Sequence, residues 1–191
     1  MAQTQSSMLE LGTKAPDFHL TDVVSGRVVS PADFSGRKAL LVMFICRHCP
    51  YVQHVKHELA RIGKDYAGKP VGIVAISSND ASVYPDDGPE SLREMAEESG
   101  FVFPFCYDES QQVARAYQAT CTPDFFLFDQ AQRLAYRGQL DGSRPKNDVP
   151  VTGQDLRAAI DALLSGQPVD SSQKPSVGCN IKWRAGVVQA Q

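Results

Sequence analysis

The residues best suited to do chemistry are two cysteines three positions apart, in Cys46-Arg47-His48-Cys49, followed at once by Pro50. The thiolate, not the thiol, is the nucleophile and the metal ligand. Two residues at this spacing on the first turn of a helix have Cβ atoms about 5–6 Å apart, near what a disulfide requires. Such a pair opens and closes with little backbone motion. A helix N-terminus adds unpaired N–H groups and the positive end of the helix dipole, and both favour a thiolate. Arg47 brings a permanent positive charge beside Cys46, and His48 can carry charge or shuttle a proton. On this basis Cys46 is expected to be the attacking thiol of lower pKa. Cys49 is expected to be the resolving thiol, shielded one turn into the helix. Pro50 fits the first helical turn, where its missing N–H costs little.

This chemistry needs a strand to deliver the pair and a helix to receive it. Residues 38–45 carry an unbroken apolar run, Ala39 to Ile45, which suits a strand buried on both faces. After Pro50 the period changes: Tyr51, Val52, Val55, Leu59 and Ile62 recur at helical spacing, and Gly68 and Pro70 end the helix. A Cys-x-x-Cys at such a junction is far more specific than the bare motif. Further strands are predicted over 15–20, 27–30, 71–77, 101–107, 124–129 and 133–140. Helices are predicted over 90–99, with Gly100 as the stop, over 110–117, and over 152–164 with Thr152 as the N-cap. Residues 79–89 and 141–150 read as surface loops. Strands alternating with helices, closed by a hairpin and a helix, predict an α/β fold with one sheet and helices on both faces. Residues 1–9 read as a polar tail, 10–166 as one domain, and 167–191 as a C-terminal tail packing on that domain.

Thr122-Pro123 leads into the strand over 124–129. An X-Pro bond adopts cis at low cost, and a cis proline here would present backbone polar groups to an extended substrate segment beside Cys46. With these residues in hand, the chain resembles the thioredoxin-like redoxin superfamily. The matching residues are Gly12-x-x-Ala15-Pro16-Asp17-Phe18, the Cys46–Cys49 pair and Thr122-Pro123. Within the superfamily it is similar to a peroxiredoxin-like subgroup with a Cys-x-x-Cys motif. That likeness rests on Cys-x-His-Cys-Pro-Tyr at 46–51, Cys-Thr-Pro-Asp-Phe-Phe at 121–126 and Gly-Cys-Asn-Ile-Lys-Trp at 178–183. The resemblance implies a thioredoxin-like fold: a central mixed β-sheet flanked by helices, with an N-terminal strand extension and a C-terminal tail. It implies thiol–disulfide exchange at Cys46 and Cys49, supported by Arg47, His48, Thr122 and Pro123. Peroxiredoxins carry Pro-x-x-x-Thr-x-x-Cys; here Val42 and Cys46 stand in place of the Pro and the Thr, and Cys49 takes the peroxidatic position. Thioredoxins place a buried acid in the strand before the pair, and Ala39 to Ile45 has none.

Cys121 and Cys179 are possible additional redox thiols. Cys121 reads equally as a soft metal ligand or a small core residue. Cys179 either reaches back to Cys46 or Cys49 or sits in a docked tail that buries Ile181 and Trp183. Cys106 reads as core, His54 and His57 as a solvated face, and Asp86, Asp87 and Glu90 as favourable charges at a helix start. The 191 residues hold 19 Lys and Arg against 22 Asp and Glu, without a basic cluster, which argues against a nucleic-acid partner. The start lacks a charged and then apolar leader, and the longest apolar run is too short to span a bilayer. The expectation is therefore a cytoplasmic protein with no membrane partner. Five cysteines, an odd count, do not make a disulfide framework. The leading reading is an oxidoreductase acting on a protein or small-molecule disulfide or thiol, with no cofactor and no metal. Two alternatives stay open: a thiol peroxidase, and a thiolate module holding Cu(I) or Zn through Cys46, Cys49, Cys121 and His48.

Overall fold

The computed structural model describes residues 3–186. Met1, Ala2 and residues 187–191, the outer ends of the two segments read as tails, lie outside the described residues. In chain order the elements are β1 (Gln3–Gln5), β2 (Leu20–Thr21), β3 (Val28–Val29), β4 (Ala39–Phe44), α1 (Pro50–Asp65), β5 (Val71–Ser77), α2 (Pro89–Ser99), β6 (Phe105–Tyr107), α3 (Gln112–Ala116), β7 (Cys121–Thr122), β8 (Asp124–Asp129), β9 (Leu134–Gly138), α4 (Gln154–Leu164) and β10 (Val177–Asn180). Short 3-10 turns cover Pro31–Phe34 and Pro85–Asp87.

Five strands form the central sheet in the order β6-β5-β4-β8-β9. β4, β5 and β6 run parallel, while β8 lies antiparallel to β4 and β9 antiparallel to β8, so the sheet is mixed, as expected. Every residue of β4 is buried, which explains the unbroken apolar run. Leu41, Met43 and Ile45 pack with α1, α2 and α4 on one face. Leu40, Val42 and Phe44 pack with Val113 and Ala114 of α3 and with Phe18 and Ile181 on the other. Tyr117 fills that second face, its ring 5.5 Å from those of both Phe44 and Phe126. In α1 the buried positions Val52, Val55, Leu59 and Ile62 are the predicted stripe. Gly100, at φ 69°, caps α2 in the left-handed conformation that glycine adopts without a Cβ penalty.

Several expectations change. The polar N-terminal tail is not free: Gln3–Gln5 pairs antiparallel with β10, and Ser6 is buried with its hydroxyl donating to Asp124 at 2.8 Å. Its polarity hides a strand whose partners are backbone groups. Thr152 is not the cap of α4. Gly153 holds that place, and the loop is tied down instead by Asp141, whose Oδ2 accepts from the Thr152 and Gly153 amides at 2.7 and 2.6 Å. Asp141 and Ser143 are accordingly buried in a loop read as exposed. His54 is half-buried, with Nε2 2.7 Å from Ser143 Oγ. The strands read over 15–20 and 101–107 shrink to Leu20–Thr21 and Phe105–Tyr107.

A third sheet element bears directly on the site. β10 runs between β1 and β7 in a small antiparallel sheet, so the C-terminal tail docks on the segment that leads into β8. That segment is anchored from beneath. Asp124 and Arg137 are both wholly buried, with Arg137 Nη2 donating to Asp124 Oδ2 at 3.4 Å and to the Gln118 carbonyl at 2.8 Å. The Arg137 guanidinium lies 4.5 Å from the centre of the Phe126 ring. Removing one partner of a buried ion pair leaves an uncompensated charge and costs about 3–5 kcal/mol. Asp124→Ala is expected to lose that much in urea denaturation, and Asp124→Leu combined with Arg137→Met to recover most of it.

Candidate active site

The topology gathers the site at one end of the sheet. Cys46 follows β4, Asn79 follows β5, and because β8 is antiparallel to β4, with Phe44 opposite Asp124, the start of β8 reaches the same end. Ligands of open α/β sheets bind at these carboxyl ends of parallel strands. The Thr122–Pro123 peptide is cis, as expected. Thr122 touches both members of the cysteine pair: its Oγ1 lies 3.3 Å from Cys46 Sγ, and its carbonyl oxygen 3.1 Å from Cys49 Sγ.

Cys49 is the N-cap of α1 and Pro50 its first residue, so Cys49 does not sit one turn into the helix. Both cysteines are buried, at 1% and 0% exposure. The order of acidity is the reverse of that expected. Cys49 is lowered to about 5 by hydrogen bonds, first from the Cys46 thiol and then from the Cys179 thiol, Thr122 and the Val52 amide, which together outweigh its burial. Cys46 is pushed well above the ordinary thiol value, first by burial, then by its hydrogen bond to Cys49 and by the Asp87 charge. The physical reason is the surroundings: Cys46 is buried and faces the Asp87 charge, whereas Cys49 stands at the positive N-terminal end of α1.

Arg47 does not act as expected either. Its Nη1 donates to Glu94 at 2.6 Å and to the Ser91 carbonyl at 2.7 Å, so the guanidinium is turned onto α2. Its backbone amide matters more. Asp87 Oδ1 accepts from the Arg47 and His48 amides at 2.8 and 3.1 Å, and Oδ2 accepts from Asn79 Nδ2 at 2.8 Å and meets His48 Nδ1. Burial pushes the Asp87 carboxyl up, but the bonds from His48 and Asn79 outweigh it and hold the group below the ordinary carboxylate range. The His48 ring stacks on Tyr84 with centroids 5.0 Å apart. Asp87 is a fully buried carboxylate that ties the loop together, and Pro-Asp-Asp-Gly-Pro, which reads as a helix-start charge, has no local signal for that role.

Cys46 Sγ, a His48 ring nitrogen and an Asp87 oxygen lie within 4.8 Å of one another. Asp87 engages His48 through Nδ1, and among the described residues His48 Nε2 makes no hydrogen bond. Cys121 belongs to neither grouping: its thiol faces the Pro123 carbonyl at 3.7 Å, and burial, then Asp124, push its pKa up. Cys46, Cys49, Cys121 and His48 therefore do not form a metal-binding tetrad. Cys106 is a buried core thiol, raised by burial.

Residues 10–156 match the Redoxin family model. The chain belongs to the Redoxin family. Thiol-disulfide oxidoreductase ResA of Geobacillus kaustophilus is 27% identical over 148 residues, which cover 76% of this chain and 78% of that protein. Among solved structures, an uncharacterized conserved protein from Geobacillus kaustophilus is 54% identical with a TM-score of 0.96, over 98% of this chain and 99% of that one. The thiol:disulfide interchange protein DsbE from Chlorobium tepidum is 23% identical with a TM-score of 0.65, over 82% of this chain and 99% of that one. The fold of this Redoxin domain is thioredoxin-like, with helices on both faces of the mixed sheet. Among the described residues, no helix is long and apolar enough to cross a membrane.

Two outcomes follow from Asp87. In a Cys49→Ser background, Asp87→Asn is expected to move the Cys46 titration to lower pH by about one pH unit, read by thiolate ultraviolet absorbance, because the carboxylate no longer opposes the thiolate. The depressed carboxyl also stabilises the fold. This contribution is complete above the unfolded carboxylate pKa of about 4 and is lost as pH falls through the lower folded value. Urea melts across that acid range are expected to show a shallower loss in Asp87→Asn than in the native chain.

Proposed function

We propose that this chain is a thiol–disulfide oxidoreductase cycling Cys46 and Cys49 between dithiol and disulfide. The observation that carries the reading is the pair itself: Cys46 and Cys49 meet at the N-terminus of α1 with Thr122 touching both sulfurs, and the Cys49 sulfur is lowered to about 5. A lowered pKa favours the thiolate, the nucleophilic form. The ResA likeness supports the same chemistry.

The roles follow the acidity. The Cys49 thiolate attacks one sulfur of a substrate disulfide, forming a mixed disulfide and expelling the other substrate sulfur as thiolate. The Cys46 thiol then loses its proton to the expelled sulfur and attacks Cys49, closing Cys46–Cys49 and releasing the second substrate sulfur as a thiolate. Two electrons pass from the pair to the substrate, and an external thiol reductant resets the enzyme. Asp87 holds the loop and the His48 ring in place and raises Cys46, so charge settles on Cys49. The cytoplasmic setting is part of the proposal, supported by the odd cysteine count.

A second reading draws on the same thiolate. Cys49 occupies the peroxidatic position of the resemblance, and a low-pKa sulfur with a neighbouring thiol is what a peroxidase needs. Peroxide would convert it to sulfenate, which Cys46 would condense to a disulfide with loss of water.

Equilibration across dithiol/disulfide buffers with mass mapping is expected to yield one reversible Cys46–Cys49 midpoint. Disulfide reduction is expected to fall about a hundredfold or more in Cys49→Ser and to lose half its rate near pH 5 on acidification, following Cys49. A midpoint that never appears, alongside rapid peroxide consumption, would move the assignment to the peroxidase.

A further inference from the structure

The third thiol of the cluster comes from the C-terminal tail. β10 lies antiparallel to β7 with Cys179 directly opposite Thr122 and Asn180 opposite Cys121. Thr122 is the residue that touches both Cys46 and Cys49, and Cys179 packs in the same buried cluster as Cys46 and Cys49. All three sulfurs are buried, Cys179 at 2% exposure.

The seat of β10 is tight and many-sided. A Cβ on Gly178 would stand 2.0 Å from the Thr122 carbonyl oxygen, so glycine is required for the strand to lie this close. The Ser176 hydroxyl donates to the Pro123 carbonyl at 2.6 Å, the Ile181 amide to the Thr120 carbonyl at 3.1 Å, and the Lys182 amide to Asn79 Oδ1 at 2.8 Å. On its outer edge Gln3 of β1 faces Cys179. An extended segment that pairs with a strand edge gains its hold from main-chain bonds and its specificity from alternate side chains. β10 does this within the chain, so the backbone groups expected to receive a substrate are taken by the protein itself, and the side chain delivered to the Cys49 sulfur is a cysteine.

We infer that Cys179 is a second resolving thiol, and that Cys49 is a hub sulfur which closes a disulfide with either Cys46 or Cys179. The inference rests on the oxidoreductase reading above. From the mixed disulfide of Cys49 with a substrate, Cys179 attacks Cys49 Sγ, the Cys49–Cys179 bond forms, and the substrate sulfur leaves with the proton that Cys179 gives up. From the Cys46–Cys49 disulfide, the same attack breaks the Cys46–Cys49 bond and forms Cys49–Cys179, and Cys46 takes the proton. That second step moves no net electrons and needs no further reagent. Its effect is to tether β10 covalently across Thr122.

The test uses the full chain, oxidised with stoichiometric 5,5'-dithiobis(2-nitrobenzoate) and digested without reductant for mass mapping. The native chain, Cys46→Ser, Cys179→Ser and the double variant are compared, with circular dichroism confirming that each is folded. In Cys46→Ser the Cys49–Cys179 peptide pair is expected as the main product, and in the double variant Cys49 is expected to keep its thionitrobenzoate adduct at least about tenfold longer than in Cys46→Ser. If Cys46→Ser keeps the adduct as long as the double variant while the native chain still forms Cys46–Cys49, Cys179 is a packing residue and this inference is overturned, with the oxidoreductase reading intact. If the native chain forms neither disulfide, the oxidoreductase reading falls, and this inference with it.

Discussion

The site depends on one pairing: β8 lies antiparallel to β4 at the centre of the sheet, with Phe44 opposite Asp124. A parallel neighbour would have brought the far end of the next strand to Cys46. The antiparallel one brings its beginning, and so places Thr122 against Cys46 and Cys49. Because β4 is buried on both faces, its register cannot slip by one residue without exchanging Leu41, Met43 and Ile45 for Leu40, Val42 and Phe44 between two differently shaped cores. The position of the thiols is therefore fixed by packing several residues away from them.

Within that frame, one carboxylate organises the loop. Asp87 has no exposed surface and accepts hydrogen bonds from two loop amides, from Asn79 and from His48. A buried charge persists only when so satisfied. The Cys46-Arg47-His48-Cys49 turn supplies the satisfaction, so the acid and the loop hold each other. The same charge that orders the loop opposes a thiolate at Cys46. Cys49, one helix cap further on, is shielded from that opposition and faces the Val52 amide. This acid thus shapes the loop and adds to the burial and hydrogen bonding that separate the acidities of its two thiols.

The chain's ends complete the enclosure. β1 and β10 add a small sheet over Thr122, and the buried Asp124–Arg137 pair supports the same segment from beneath. The sulfurs lie between these layers, in surroundings where hydrogen bonds to a thiolate count for more than they would in water.

The fold and the cysteine pair at its strand–helix junction were legible in the sequence because both are local signals. The apolar run Ala39 to Ile45, the helical spacing from Val52 to Ile62, Gly100 at a helix end and Thr122-Pro123 before a strand each depend on residues near one another in the chain, and each took the predicted form. The resemblance to redoxins was likewise carried by short motifs. What only the tertiary structure decided were relations across long separations. Asp87 meets His48 from 39 residues away, and Cys179 lies beside Cys49 only because β10 crosses Thr122. The order of acidity of Cys46 and Cys49 ran opposite to expectation for a related reason: burial raises Cys46, Arg47, adjacent in sequence, points to α2, and Asp87, distant in sequence, is adjacent in space. Periodicity and turn chemistry are written in neighbouring side chains, but a thiol's pKa is set by whichever charges and donors the packed chain brings within a few ångströms, and no local pattern records those.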